Sequence, residues 1–559
     1  MMDTAAPKLS KNTTLLEYFY QSEIRHPSKI FLRQPFGDTY YDLTWYEAGQ
    51  QARRVAAYLK SLNLPPQSPI GLVSKNCSEW IITDIAILIA GHVSVPFYPT
   101  LTAHQINQVL THSGCKALFV GKLDDWKAMK PGIPAELLQI SFPTYNPDPA
   151  HVQWEDILRD FEPMQESPVP ALDDLFSIIY TSGTTGNPKG VMISHRSTAS
   201  ATYEARKELL LEMPDTRFFS YLPLCHIAER NIVEATCLIT GGTIYFAESL
   251  DTFTDNLAKA RPTHFLAVPR IWTKFQLGIL GKMPQERLDL LLKIPLLNNL
   301  IKRSIRKKLG LNDARLILTG AAPMPPSLIR WFARLDIIIQ EAYGMTENLG
   351  AVSMMPKDQI KEGTVGKPYP GMEVKIDPLT GEILTKSLSN MVGYYREPEL
   401  TAQTLRDGWL HTGDVGELDE DGFLKITGRI KEIYKTTKGE YIVPSMIEGG
   451  FSENNLIEQI CVAGQHLPQP IALIVLSELG RRAERHAVTQ SLHSTLSTVN
   501  PALRNYEKIK KMVIVRENWS VENNMLTPTL KIKRTIVENN YESKMGDWYS
   551  LEETVVWEE

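Results

Sequence analysis

Cysteine is scarce in this chain of 559 residues. Its five cysteines (Cys77, Cys115, Cys225, Cys237 and Cys461) form an odd set with no CxxC spacing. That pattern excludes a disulfide framework and a cysteine-built zinc site, and it fits a reducing compartment. Charge of one sign is missing as well. Fifty-nine Lys and Arg stand against 64 Asp and Glu, for a net charge of −5 with no long block of either sign, so no nucleic-acid partner is expected. The opening residues, MMDTAAPKLSKNTTLLEYF, hold no apolar core of the length that a signal peptide needs. The longest apolar run, Trp80 to Tyr98, contains Asp84, Gly91, His92 and Pro96. It is barely long enough to span a bilayer and reads as a buried helix followed by a strand. The protein is expected in the cytoplasm, or peripheral to the inner face of a membrane. GxSxG, HExxH and GxGxxG are absent too, so hydrolase, zinc-peptidase and dinucleotide-oxidoreductase readings have no motif to rest on.

What is present centres on Tyr180 to Gly190, YTSGTTGNPKG. The β-branched and aromatic run Phe176–Tyr180 predicts a strand. Thr181, Ser182, Gly183, Thr184, Thr185 and Gly186 follow, six small residues whose N–H and hydroxyl groups can converge on an anion. Lys189 adds a cation behind the stiff Pro188. The spacing is not that of a Walker A loop, since Gly186 is followed by Asn187-Pro188-Lys189-Gly190. The stretch reads as a polyphosphate cradle, against the alternative of a flexible linker.

At this length at least two domains are expected. Leu43–Leu62 predicts a helix, with Thr44 and Glu47 forming a capping box. Helix and strand then alternate through Ile70–Val73, Trp80–Ala90, Val93–Phe97, Ala103–Ser113 and Ala117–Val120, the mark of a covered parallel sheet. Further strands are expected at Phe218–Leu222, Thr243–Phe246, His264–Val268, Arg315–Thr319 and Ile337–Gln340. From about Gly363, short strands between Gly/Asp turns predict a β-rich subdomain, and past Gly428 a charge-rich α+β unit ends the chain. Leu297, Leu300, Ile301, Ile305 and Leu309 predict an amphipathic helix with Lys302, Arg303, Arg306, Lys307 and Lys308 around its other face. Such a helix can lie on an anionic membrane or serve as an ordinary surface helix.

Several stretches have the composition of ligand sites. Gly320-Ala321-Ala322 closes a strand with small residues that let a ligand approach the backbone. In Glu341-Ala342-Tyr343-Gly344-Met345-Thr346-Glu347, Tyr343 can stack on a base, Thr346 can bond a phosphate oxygen and Glu347 can hold Mg²⁺ through oxygen. Asp414, in GWLHTGD, can accept ribose hydroxyls. Arg429 lies at the composition change, and Lys531 sits among apolar neighbours in LTPTLKIKR.

In order and spacing these motifs resemble the adenylate-forming enzymes, the superfamily of acyl-CoA synthetases, peptide-synthetase adenylation domains and firefly luciferase. The resemblance runs from about Thr14 to Tyr541. YLPLCHIAER, VPRIW, KGEYIVP and LTPTLK resemble the long-chain fatty acyl-CoA synthetase branch. The resemblance implies an α/β fold: a large N-terminal domain of stacked α/β sheets with a β-rich subdomain (1–428), a hinge (429–433) at Lys431, and a small mobile α+β C-terminal domain (434–559). It implies activation of a fatty acid, of medium to long chain, with ATP and Mg²⁺ to acyl-AMP and pyrophosphate, then transfer to coenzyme A.

The resemblance also implies roles for single residues. Thr181 to Lys189 would hold the β- and γ-phosphates, and Thr346 the α-phosphate. Glu347 would hold Mg²⁺. Tyr343, Gly344 and Gly320–Ala322 would enclose adenine, while Asp414 and Arg429 would fix the ribose. Lys531 would be catalytic, with Thr346 and Glu347. His226 would border the acyl pocket, although the residues alone read more readily as a core histidine. Lys438 and Gly439 would border the pantetheine tunnel after rotation. The chain departs from the family at Lys386-Ser387, where Arg-Gly is usual, and at Asn523-Asn524, where Asn-Gly is usual; asparagine tolerates left-handed φ. Arg230 stands near the position where some long-chain members carry a gating tryptophan. Two other readings are an acyl-AMP ligase serving an acyl carrier protein and a silent acyl-adenylate-binding protein.

Overall fold

The computed structural model describes residues 9–145, 148–182, 188–521, 523–527 and 531–559, and of Ser182 the backbone alone. Two large sheets dominate it. One has eight strands, in which Leu138–Ser141, Ala117–Val120, Pro69–Val73, Val93–Phe97 and Leu175–Ser182 run parallel side by side. The other has nine, with a parallel centre of Ile30–Phe36, Thr243–Phe246, Arg217–Ser220, His264–Leu266, Leu316–Thr319 and Gln340–Tyr343. One apolar core joins them, with Phe31 and Phe218 from the nine-stranded sheet and Leu72 and Phe119 from the eight-stranded sheet. The alternating α/β architecture is the expected one.

The helix Ser78–Ile89 is buried along its whole length, which explains why its sequence is apolar on every face. Among the described residues no helix is long and apolar enough to cross a membrane. The capping box at Thr44 and Glu47 forms, with Thr44 accepting from the Glu47 N–H and the Glu47 carboxylate receiving the Thr44 N–H at 2.8 Å. One expected strand is displaced. Ile337-Ile338-Ile339 lies outside the ladder, which begins at Gln340 opposite Leu318 and continues to Tyr343. Ile337 and Ile339 are instead buried core residues ahead of the strand, so their apolar character reports burial, not pairing.

Beyond Gly363 the strands Glu373–Ile376, Glu382–Lys386, Leu405–Arg406, Trp409–Leu418 and Leu424–Arg429 form an antiparallel sheet. A second antiparallel pair follows at Tyr434–Lys435 and Tyr441–Ile442, then a mixed four-stranded sheet of Ile457–Ala463, Ile471–Leu476, Lys511–Ile514 and Val555–Trp557. Among the described residues, no buried apolar cluster bridges Arg429–Ile433: three draw on residues up to Leu424 and two on residues from Tyr434 onward.

An ionic cluster lies inside the large core. Arg230 is 1% exposed; it donates to both oxygens of Asp84 at 2.5 and 2.6 Å, to Ser177 at 2.5 Å and to Glu234 at 3.3 Å. Burial, and next the Asp84 charge, push the Glu234 carboxyl well above its ordinary range, which disfavours a second carboxylate charge beside the Arg230–Asp84 pair. Removing one partner of such a pair leaves an uncompensated buried charge and costs about 3–5 kcal/mol. Arg230→Met should therefore lower stability by about that amount in urea unfolding, and Arg230→Met with Asp84→Leu should recover part of the loss. A single variant as stable as the parent would show that the cluster carries no such charge.

Candidate functional site

The C-terminal edge of the nine-stranded sheet, the antiparallel sheet and the small C-terminal unit face one cavity of about 3890 Å³. The cradle motif folds as a hairpin, Leu175–Ser182 against Pro188–Ser194, with Thr181 opposite Lys189. Thr181 and Lys189 line the cavity. Gly183, Thr184, Thr185 and Gly186 lie outside the described residues, as does the Ser182 side chain. The Lys189 ammonium stands 5.3 Å from the centre of the Tyr394 ring. Burial lowers its pKa, the Lys431 charge lowers it further, and Glu347 and Glu397 oppose this.

Small residues are required where the expected base pocket lies. A Cβ on Gly320 would stand 2.9 Å from the Ala342 carbonyl oxygen, and one on Gly344 would stand 2.3 Å from the Gly350 carbonyl carbon. Ala321 takes a left-handed φ of 66°. Gly320, Ala321, Ala322, Tyr343, Gly344, Thr346 and Glu347 all line the cavity. The Tyr394 hydroxyl donates to Glu347 Oε1 at 2.8 Å, tying this carboxylate to the ring beneath Lys189. Among the described residues no three His, Cys, Asp or Glu side chains cluster as a metal cage. A single cavity-lining carboxylate such as Glu347 nonetheless fits Mg²⁺, which is usually held by one or two carboxylates and by substrate phosphates.

Asp414 sits directly across the ladder from Arg429. Arg429 Nε donates to Asp414 Oδ1 at 2.6 Å, and the Tyr343 hydroxyl donates to Oδ2 at 2.6 Å. Burial raises the Tyr343 phenol far above its ordinary value, and the Asp414 charge raises it further, so it stays a donor. Burial works against the Arg429 charge, and Asp414 more than offsets it. Glu382 steadies the turn before Asp414 by accepting from the Gly413 N–H at 2.8 Å and by meeting His411 Nδ1 at 2.8 Å. Arg534, at the start of the last helix, ties that helix to the rest of the small unit: it pairs with Glu448 at 2.7 Å and lies 3.8 Å from Glu432. The sequence reading missed Glu382 and Arg534, because a residue that orients a neighbour has no signature of its own.

Lys531 reaches the same cavity from the far end of the chain. Leu526 and Ile532 pair as an isolated bridge, Lys531 N donates to Thr527 Oγ1 at 3.0 Å, and Asn524 takes the left-handed φ of 62° that its turn needs. Burial pulls the Lys531 ammonium below the ordinary lysine value and Arg429 adds to this, while Asp414, Glu347 and Glu432 hold it up. His226 has its pKa pushed down to about 4, by burial first and then by the Lys531 charge. Its Nδ1 accepts from the Ala228 N–H at 3.2 Å, so the ring caps a helix start as a neutral group, and it lines the cavity as well. Lys431 lies in the short turn Ile430–Glu432, exposed and facing the cavity. Lys438 and Gly439 do not join the others: they form an exposed hairpin tip outside the residues that line the cavity. Unannounced in the sequence are two ion pairs across the cleft, Arg270 with Glu458 and Arg330 with Glu453, the latter at 3.6 Å.

Comparison with known proteins places these geometries in a family. Fatty acyl-CoA synthetase A of Dictyostelium discoideum is 27% identical over 98% of this chain and 93% of its own length. Long-chain-fatty-acid–CoA ligase FadD15 of Mycobacterium bovis is 29% identical over 95% and 96%, and human long-chain-fatty-acid–CoA ligase 1 is 29% identical over 88% and 80%. Among solved structures, the anthranilate CoA ligase AuaEII in complex with anthranoyl-AMP superposes with a TM-score of 0.79 at 19% identity, over 96% of this chain and 99% of that one. ATP-bound MatB from Rhodopseudomonas palustris gives 0.73 at 23% identity, over 95% and 99%. Residues 432–553 match the AMP-binding enzyme C-terminal domain. Residues 19–395 match the AMP-binding enzyme profile, two thirds of the chain, and the protein therefore belongs to the AMP-binding enzyme family.

Proposed function

We propose that this protein is an AMP-forming fatty acid–CoA ligase acting on medium to long chains. The observation that carries the proposal is the convergence of Lys531, from the small unit, with Glu347, Asp414, Arg429 and His226 at one cavity. The relatives with the matching names support the acyl and thiol substrates. So does an apolar part of the cavity wall that includes Ala201, Ala205, Leu209, Ile227, Ile232 and Ala351, a lining that suits a hydrocarbon chain.

In the first half-reaction a carboxylate oxygen bonds to the α-phosphorus of ATP while the bond from that phosphorus to the pyrophosphate oxygen breaks. Two anions approach each other, so catalysis requires positive charge aimed where negative charge develops. Lys531 would meet the carboxylate and α-phosphate oxygens, with Thr346 as a hydroxyl donor to the latter. Thr181 to Lys189 would hold the departing pyrophosphate. Tyr343 and Arg429 hold the two oxygens of Asp414 in place, which would orient it for the ribose hydroxyls, and Gly320, Ala321, Ala322 and Gly344 would leave room for adenine. Glu347 would hold Mg²⁺ against the phosphates, which would neutralise part of their charge.

In the second half-reaction the thiol sulfur of CoA bonds to the acyl carbon, the bond from that carbon to the AMP oxygen breaks, and the thiol proton is released. Lys531 then occupies space the thiol needs. The small unit would turn about Lys431 and bring Lys438 and Gly439 to the pantetheine path. Residues 1–428, 429–433 and 434–559 would be the large domain, hinge and mobile domain of that motion.

Pyrophosphate release across a panel of carboxylic acids, with and without CoA, tests the whole reading. Medium- and long-chain acids should release it, and CoA should sustain turnover with thioester as product. No release with any fatty acid would sink the proposal, whereas release with transfer only to a carrier protein would favour the acyl-AMP ligase.

Lys531→Ala should lower adenylation about 10²–10³-fold and leave thioester formation from supplied acyl-AMP largely intact. Equal loss in both halves would remove Lys531 from the first step. Because its pKa is lowered, its ammonium is lost as pH rises through a value below the ordinary lysine range. Adenylation should decline on that alkaline side, and Lys531→Arg should remove the decline in a pyrophosphate-release pH profile.

Lys431→Pro should spare acyl-AMP formation and abolish thioester formation, since proline fixes the φ that a hinge must change. Unchanged overall turnover in that variant would remove Lys431 from the hinge.

A further inference from the structure

Three helices follow one another in the chain, the first of them against the large cavity: Pro269–Lys282, Gln285–Lys293 and Leu297–Lys308. Their inner side is anchored. Leu288 and Ile305 are buried, and Leu280, Leu292, Ile301 and Leu309 pack on the same core. Their outer side is unusual. Leu290, Ile294, Leu296 and Leu300 are 62%, 41%, 83% and 64% exposed, four large apolar side chains within eleven residues of chain. Leu290 and Ile294 are one helical turn apart, and so are Leu296 and Leu300, whose N–H reaches the Leu296 carbonyl at 3.4 Å. The two pairs meet at the corner Ile294-Pro295-Leu296. Leu296 opens the last helix with a φ of 69° and no side-chain cap. A left-handed leucine costs about 1–3 kcal/mol, here without gaining any burial.

The same corner is strongly basic. Between Gly281 and Gly310 eight Lys and Arg stand against two acids, in a protein of net charge −5. One of those acids, Asp289, is bound by Arg334, and Lys302 pairs with Asp336 at 2.9 Å. Arg303, Lys307 and Lys308 have no ion-pair partner among the described residues. Leu296, Leu300, Arg303 and Lys307 follow helical spacing, so apolar and basic groups share one outward stripe.

We propose that this corner docks on an anionic lipid bilayer, with Leu290, Ile294, Leu296 and Leu300 entering the headgroup–acyl boundary and Arg303, Lys307 and Lys308 meeting lipid phosphates. An apolar corner ringed by cations matches that interface. A second copy of the chain fits poorly, because an isologous contact would set Arg303, Lys307 and Lys308 against their own counterparts. Ile271, Leu277 and Leu280 of the first helix and Gln285 at the start of the second line the cavity, so the docking corner continues the helical stretch that begins at a wall of the site. That last connection, a supply of substrate from the membrane, rests on the fatty acid reading; the docking itself does not.

Sedimentation of the full-length protein with lipid vesicles tests the docking. The parent protein should bind vesicles of mixed phosphatidylcholine and phosphatidylglycerol, bind pure phosphatidylcholine far less, and detach at high salt. Each neutralised cation is expected to weaken binding about fivefold, so Arg303→Gln/Lys307→Gln/Lys308→Gln should lose about 100-fold. Leu296→Ser/Leu300→Ser should lose at least about tenfold. Both variants should keep the parent's melting temperature and its ATP–pyrophosphate exchange with octanoate, a water-soluble acid. No binding by the parent, equal binding to neutral vesicles, or variants that bind like the parent would each overturn the proposal. Concentration-dependent self-association that the leucine variant abolishes would overturn it in favour of a second copy. Lack of octanoate exchange in the parent would count against the ligase reading alone, since vesicle binding is scored without substrate.

Discussion

Asp414 and Arg429 face each other across one rung of an antiparallel ladder, and that rung is the last fixed point before the chain crosses to its small C-terminal unit. The rung is rigid for local reasons. Glu382 holds the Gly413 amide, the Tyr343 hydroxyl takes the second Asp414 oxygen, and ladder pairing continues back to Leu418 and Leu424. Two residues further on, Lys431 is exposed and the apolar clusters stop. A frame that ends so abruptly would, under the proposed hinge, be the origin about which Lys531 is delivered. The same carboxylate that would orient a ribose would then also lie at the fixed end of that motion.

Charge sets the second constraint. Lys189, Lys431, Arg429 and Lys531 crowd one cavity; burial lowers the pKa values of Lys189 and Lys531, and the charges of Lys431 and Arg429 lower them further. Glu347, Asp414 and Glu432 offset this only in part, so the cavity is prepared for a polyanion. Under the proposed chemistry, departure of pyrophosphate would remove that compensation, and repulsion among the cations would favour withdrawal of Lys531. The surface pairs that join the two units, Arg270 with Glu458 and Arg330 with Glu453, are partly exposed and are each worth no more than about 1 kcal/mol. An orientation held by such contacts is well suited to exchange with another.

The fold was legible wherever local pattern and tertiary role coincide. Val93–Phe97, Ala117–Val120, Thr243–Phe246 and Ala103–Ser113 have the bounds that their periodicity predicts. Ile337–Ile339 misled, because a β-branched run marks burial as readily as pairing, and register belongs to the neighbouring strand. Tyr343, Glu347, Asp414, Arg429 and Lys531 were named through the order of motifs, which a resemblance supplies and periodicity does not, and all line the cavity; Lys438, named the same way, does not. Neither source disclosed that Tyr343 would offer its hydroxyl to Asp414, or that Arg534 and Glu382 would orient their neighbours. These bonds join residues dozens of positions apart, and each partner alone has an ordinary local sequence.

Arg230 illustrates what that kind of blindness hides. Its place in the motif YLPLCHIAER says only that a cation follows the helix start capped by His226. In the structure it is sealed between Asp84, Ser177 and Glu234, over the Phe176 ring at 4.4 Å, and it opens a π-helical stretch, Arg230–Ala235. Such irregular turns survive only when surrounding contacts hold them. The stretch presents Asn231 and Ile232 to the cavity, and Asn231 Nδ2 donates to the carbonyl of Leu349, itself left-handed at φ 56°, two residues past Glu347. The wall against which an acyl chain would lie and the turn that carries Thr346 and Glu347 thus share a hydrogen bond. A chain too bulky for the wall would displace Asn231, and through Leu349 the displacement would reach the carboxylate facing the phosphates. Under the proposed chemistry, fit along the hydrocarbon would in this way be coupled to geometry at phosphorus, with the buried Arg230–Asp84 pair behind the stretch that carries Asn231.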